Sequence, residues 1–260
     1  MREKEIKGLI IDIDGTVFHG EQVIDGAAEI LNFWDQRGME MVFLSNRGNI
    51  SRKTAAARLQ RAGVNVHYEQ MILSSYVSAC FLKTYYPTQE VWLFGDKGLR
   101  EEMEAAGIKL AAKPEDADWV VITLHETLTY KDLNAAFRAV KSGANILATN
   151  KDKSVPDKEG KESIDVAGMI GAIETAANRQ TDIVIGKPSH FMMEAVMKKM
   201  VHPPEQCMII GDSLFSDIVM GYAFGYQTAL VLSGNTTKAE ADSAVKPPDY
   251  IFSSIAAVQL

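Results

Sequence analysis

Asp12 and Asp14 are the side chains of this sequence best placed to do chemistry. They close the apolar run Leu9-Ile10-Ile11 and are followed by Gly15 and Thr16. A spacing of two puts both carboxylates on one side of an extended chain. Charges that end an apolar strand need solvent or a counter-ion. Gly15 and Thr16 then turn the backbone and offer N–H donors to an anion. A polar strand end running into a turn would read the same way from this stretch alone. An EF-hand is excluded, because loop positions six and twelve are Val17 and Val23 rather than a glycine and a carboxylate.

Three further stretches share this form. Met208-Ile209-Ile210-Gly211 leads to Asp212, and Asp217 lies five residues on, near the start of a helical segment. Asp217 can cap that helix and also orient water at a cation. Oxygen donors that leave room for water suit Mg²⁺. Val42-Phe43-Leu44 leads to Ser45-Asn46-Arg47-Gly48, a hydroxyl, an amide and a guanidinium able to hold phosphate oxygens, or to cap the next helix. Ile183-Val184-Ile185-Gly186 leads to Lys187, whose ammonium needs a partner or water when it closes a buried strand. Other signatures are absent. The Gly186-Lys187 pair lacks the P-loop's earlier glycine and is followed by Pro188, and neither an HExxH helix nor a GxSxG elbow occurs.

The elements that must position these groups alternate along the chain. Continuous apolar runs at 9–13, 41–44, 91–94, 119–124, 146–148, 183–185, 208–210 and 229–232 read as strands buried on both faces of a parallel sheet. Amphipathic stretches at 27–36, 51–62, 131–141, 166–178, 190–200 and 216–223 read as helices, several stopped by glycine, as at Gly63 and Gly225. The alternation predicts α/β architecture with helices on both faces. Eight strands are many for one small sheet. The expectation is a main domain built from both chain ends, residues 1–79 and 181–260, with a smaller α/β module inserted at 80–180. The polar stretch 150–163 follows a strand end, where open α/β sheets bind ligands.

Composition narrows the function classes. Of 260 residues, 47% are hydrophobic and 23% charged, as in a globular chain that can bury a large core. The formal net charge is −7, with no basic run. Duplex DNA and anionic membranes are therefore poor partners. No apolar stretch approaches the ~20 residues of a membrane span. The N-terminus carries no signal-peptide pattern, and two cysteines, Cys80 and Cys207, both in apolar surroundings, fit a reducing compartment. A cytoplasmic location is expected.

Taken in chain order, Asp12-x-Asp14-Gly15-Thr16, Ser45, Lys187 and Asp212 with Asp217 resemble the four motifs of the haloacid dehalogenase (HAD) superfamily. Ser45-Asn46-Arg47-Gly48, Thr149-Asn150-Lys151-Asp152, Ala167-Gly168-Met169 and Gly186-Lys187-Pro188 are further similar to the NagD-like sugar phosphatases, nearest to the type associated with bacterial arabinose-utilisation operons. One departure is Arg47, where many relatives carry asparagine. The resemblance covers almost the whole chain and implies a Rossmann-like HAD core with an inserted α/β cap. It implies phosphomonoester hydrolysis through an aspartyl-phosphate, with Asp12 as nucleophile and Asp14 as general acid and base. Asp12, the Asp14 backbone carbonyl and Asp212 would hold Mg²⁺, with Asp217 behind them. Lys187 and Ser45 would neutralise and fix the phosphate, and Asn46, Arg47 and Asn150 would contact substrate. Residues 149–152, with Thr123 and His125, are expected to face the leaving group. The implied substrate is a small phosphorylated metabolite, a sugar phosphate foremost, and by analogy the chain forms a homodimer. Two alternatives stand beside this reading: a nucleotide or pyridoxal-phosphate phosphatase on the same scaffold, and a non-catalytic phosphoacceptor or ligand-binding regulator.

Overall fold

The computed structural model describes residues 5–156 and 161–260. Residues 157–160 of the polar stretch, and 1–4, lie outside the described residues. Two parallel sheets carry the fold. The larger has six strands in the order Tyr250–Phe252, Gln227–Val231, Cys207–Gly211, Gly8–Asp12, Glu40–Ser45 and Met71–Leu73. The smaller has five, in the order Ile183–Val184, Asn145–Ala148, Trp119–Ile122, Glu90–Phe94 and Lys109–Leu110.

Gly8–Asp12 lies between Cys207–Gly211 and Glu40–Ser45, with Ile11 level with both Ile210 and Phe43. All five of its residues are buried, which is why its sequence is continuously apolar instead of alternating. This register brings the carboxyl ends of three strands to one edge and, with them, Asp12, Ser45 and Asp212. Ligands of open α/β sheets bind at that edge.

One apolar cluster joins the sheets. It contains Ile10, Val42 and Ile72 of the larger together with Val91, Val121 and Leu147 of the smaller. Helices Ser74–Tyr85 and His190–Met197 contribute Val77, Phe81, Leu82, Met192, Met193 and Val196 to it. Met192 and Met193 therefore pack in the core, while Met197 of the same helix is exposed. A second cluster covers the other face of the larger sheet, with Leu31 and Trp34 of Ala27–Gln36 and Leu59 of Arg52–Arg61.

All eight apolar runs become strands, and Gly63 and Gly225 stop their helices with φ of 86° and 77°. Several elements carry too weak a pattern to be seen in the sequence: Met71–Leu73, Lys109–Leu110, Tyr250–Phe252 and the serine-rich helix Ser74–Tyr85. The expected boundary at 79/80 falls inside that helix. The one at 180/181 precedes Ile183–Val184, which pair with Leu147 and Ala148 in the smaller sheet. Ile183–Val184 thus belongs to the smaller sheet although it lies past residue 180. No helix among the described residues is long and apolar enough to cross a membrane.

Candidate active site

A cavity of about 1160 Å³ opens between the two sheets. Asp12, Asp14, Ser45, Asn46, Arg47, Asn150, Lys187 and Asp212 all line it. Five segments distant in sequence thus meet in one cleft.

At its floor Asp12, Asp212 and Asp217 offer carboxylate oxygens that all lie within 4.8 Å of one another. Lys187 Nζ donates to Asp12 Oδ1 at 2.6 Å and to Asp217 Oδ1 at 2.7 Å. All four side chains are buried. Burial pushes the Asp12 carboxyl well up, with Asp217 and Asp212 adding to it and Lys187 opposing. Burial, together with Asp217, lifts Asp212 to about 6. Lys187 is raised as well, because its two carboxylate partners outweigh its desolvation. Three carboxylates share one ammonium, a formal charge of −2 in a closed oxygen-rich pocket. A divalent cation fits that deficit, and the all-oxygen donor set suits a hard ion.

Small residues make this crowding feasible. A Cβ on Gly15 would meet Asp212 Oδ2 at 2.1 Å, and Gly15 adopts φ of 85°. A Cβ on Gly211 would meet the Asp217 carboxyl carbon at 2.2 Å. Asp212 Oδ2 accepts from the Asn235 amide at 2.6 Å, and Asp217 Oδ2 accepts from the Ser213 amide at 3.2 Å.

Asp14 faces away from this cluster. Arg47 Nε donates to its Oδ2 at 2.8 Å and Arg47 Nη2 to its Oδ1 at 3.2 Å, while Arg58 Nη1 reaches Oδ1 at 2.9 Å. Arg58 also donates to the Gly20 carbonyl. Burial alone would raise the Asp14 carboxyl, but the two guanidiniums prevail and hold it below its ordinary value. Arg47 is thus tied to Asp14, and Arg58, which reads in the sequence as one polar position of an amphipathic helix, joins it.

Ser45 Oγ accepts from the Arg47 amide at 3.1 Å, a tight turn at the strand end. Asn46 Nδ2 donates to Asp152 Oδ2 at 2.9 Å, and its Oδ1 accepts from the Lys187 amide at 2.6 Å. Asn150 Nδ2 donates to the Asn46 carbonyl at 2.8 Å, and its Oδ1 accepts from the Asp152 amide at 3.0 Å. Both asparagines line the cavity, yet their side chains are engaged with protein. Asp165, which sequence reasoning missed, also lines the cavity. Its Oδ1 caps helix Val166–Ala177 at 2.7 Å from the Val166 amide, and burial lifts its carboxyl to about 6. The only signal for it in the sequence was that of a helix cap.

Three expectations are corrected. Thr123 and Thr149 are fully buried against Gly48, where a Cβ would lie 2.3 and 2.4 Å from their hydroxyls, and neither lines the cavity. His125 turns aside to Asp96 at 3.2 Å and Asp132 at 3.8 Å and packs on Phe94. Their neighbour Leu124 faces the cavity instead. A strand end exposes alternate residues, and here the sequence could not say which.

Residues 9–109 match the haloacid dehalogenase-like hydrolase family, and 184–258 match a second, HAD-hydrolase-like family description. The chain belongs to the haloacid dehalogenase-like hydrolases. Within them it is a phosphatase of NagD type. It is 50% identical over 248 residues to the sugar-phosphatase AraL of Bacillus subtilis, covering 95% of this chain and 90% of that one. The p-nitrophenyl phosphatase of Archaeoglobus fulgidus superposes with a TM-score of 0.88 at 29% identity, over 97% of this chain and 98% of that one. NagD of E. coli K-12 gives 0.86 at 29% identity, over 98% and 99%. HAD hydrolases generally use a divalent metal, and the three buried aspartates form a group able to hold one.

Proposed function

We propose that this HAD phosphatase hydrolyses sugar phosphates through an aspartyl-phosphate on Asp12, with Mg²⁺ as its cation. The observation that carries the reading is the buried cluster of Asp12, Asp212 and Asp217 around Lys187 at the floor of a cavity walled by both sheets. The similarity to the Bacillus sugar phosphatase supports the substrate class. The segment carrying the smaller sheet, from Glu90 to Val184, is the cap in this reading.

Asp12 supplies the attacking oxygen. A carboxylate approaching a phosphate dianion is opposed by ~4 kcal/mol per charge pair at ~4 Å and an effective dielectric of ~20. Lys187 offsets part of that repulsion from within hydrogen-bond reach of Asp12. Asp12, Asp212 and the Asp14 carbonyl would hold Mg²⁺, with Asp217 behind them, and the ion would supply the remaining neutralisation. Ser45 and nearby amides hold the other phosphate oxygens, so that positioning and charge stabilisation provide most of the catalysis. Asp14 protonates the leaving oxygen and then takes a proton from the water that opens the phosphoenzyme. The guanidiniums of Arg47 and Arg58 favour its ionised form, which suits the second half-reaction. For the first, Asp14 turns from Arg47 toward the ester. Leu124, Asp152 and Asp165 face the leaving group from the cap side.

Asp12→Asn keeps the shape and removes the nucleophile. The expected result is p-nitrophenyl phosphate turnover below about a hundredth of the native rate, with no label retained on protein from a ³²P-labelled ester. A wider panel tests the substrate class. Sugar phosphates hydrolysed much less efficiently than nucleotides or pyridoxal phosphate would overturn it, and activity unaffected by EDTA would overturn the role of the cation.

A further inference from the structure

Asn46 stands where three passages of the chain meet. Its carbonyl accepts from Ser74 Oγ at 2.6 Å and from Asn150 Nδ2 at 2.8 Å. Its side-chain amide bridges Asp152 of the smaller-sheet segment to the backbone of Lys187. The orientation of that amide is dictated by its partners. A carboxylate can only accept and a backbone N–H can only donate, so nitrogen faces Asp152 and oxygen faces Lys187. Gly186 lets the three strands of contact close together, since a Cβ there would sit 2.7 Å from Asn150 Cβ and 2.8 Å from Asn46 Oδ1.

We propose that Asn46 is a positioning residue, and that the Asn46–Asp152 pair couples the leaving-group side of the cavity to Lys187. The amide is planar and rigid, and it is held at both ends by strong acceptor and donor partners. Lys187 projects from the backbone that Asn46 grips, and its ammonium must reach Asp12 and Asp217 at once. Asp152 lines the cavity, so a displacement of its carboxylate by cap movement or by a ligand's hydroxyl is passed through one amide plane to Lys187. Asn46 then acts on turnover through Lys187, although its place in the sequence suggested contact with substrate. The inference rests on the role proposed above for Lys187.

A polarity swap tests it. Asn46→Asp keeps an acceptor for the Lys187 amide but sets a carboxylate against Asp152. The expected result is a kcat reduced about a hundredfold, with KM for p-nitrophenyl phosphate changed less than about threefold. Asp152→Asn alone retains an acceptor for Asn46 and costs less. The double variant N46D/D152N restores one donor–acceptor pair with its direction reversed, and kcat is expected to return to within about fivefold of D152N. Recovery of kcat by a second substitution is a signature that loss of structure alone does not produce. Asn46→Asp turnover within about threefold of native overturns the coupling. So does a double variant that is folded by circular dichroism yet no faster than N46D. Where N46D itself does not fold, the double variant decides: folding and turnover together support the pair, and failure of either overturns it. Lys187→Met separates this inference from the mechanism beneath it. An active Lys187→Met enzyme defeats the mechanism, whereas an inactive one without rescue in the swap defeats only the coupling.

Discussion

Replacing Lys187 by methionine removes the ammonium that Asp12 and Asp217 share while keeping a side chain of similar length. Its contacts of 2.6 and 2.7 Å to Asp12 and Asp217 are each worth ~6 kcal/mol of attraction at an effective dielectric of ~20. Most of that offsets desolvation, and breaking a buried ion pair costs about 3–5 kcal/mol net. At about 2–4 °C per kcal/mol for a chain near this size, melting should fall by about 10 °C at pH 8. The sign of the pH dependence follows from the carboxylates. Asp12 and Asp212 already lie above their ordinary values, and without the ammonium they rise further in the folded protein. Groups with raised folded values take up protons as pH falls, so the penalty is full at high pH and shrinks toward pH 4. On the proposed reading, added Mg²⁺ should restore melting more in the variant than in the native protein, since the variant's folded cluster carries one more uncompensated negative charge and would hold the cation more tightly. Turnover should drop about a thousandfold, the equivalent of one uncompensated charge pair of ~4 kcal/mol. The assay is thermal unfolding at pH 5 and pH 8 beside p-nitrophenyl phosphate hydrolysis. A melting penalty independent of pH, or turnover within tenfold of native, would refute the reasoning.

Asp14→Asn should lower kcat by about 10²–10⁴ and leave labelled phosphoenzyme in a rapid acid quench, because the water then lacks its base; steady fast turnover contradicts the assignment. Gly48→Ala places a methyl 2.3 and 2.4 Å from the buried hydroxyls of Thr123 and Thr149, and should cost about 1–3 kcal/mol, seen as a lower denaturation midpoint. An unchanged midpoint would show that this loop does not pack on the smaller sheet as described. Asp165→Asn removes a buried carboxyl raised from 3.8 to about 6 while keeping a helix-capping oxygen. The ionised form is disfavoured in the fold, so its penalty is absent below the ordinary value, grows up to about pH 6 and is full above it. The variant should therefore gain up to ~3 kcal/mol at pH 8 and only about 0.5 kcal/mol at pH 4. Equal gains at both pH values would point to packing as the cause.

The chemistry of this protein is written locally. Asp12, Ser45, Lys187 and Asp212 each close an apolar strand, and strand-end charges announce a site because burial without partners is costly. Continuous apolar runs likewise announce a parallel sheet covered on both faces. Short elements such as Met71–Leu73 and the helix Ser74–Tyr85 were hidden because three residues carry no period and serines mask an apolar face that the neighbouring sheets complete. Tertiary structure alone decided which side chains past the strand ends face the cavity. Past the paired strand ends Ile122 and Ala148, Thr123 and Thr149 lie under Gly48, whereas the next residues, Leu124 and Asn150, line the cavity. It alone tied Asp14 to Arg47 and Arg58, and Asn46 to Asp152 across 106 residues of sequence. The physical reason is that donor and acceptor types are properties of residues, whereas pairing depends on direction and distance, which only the packing of the two sheets sets.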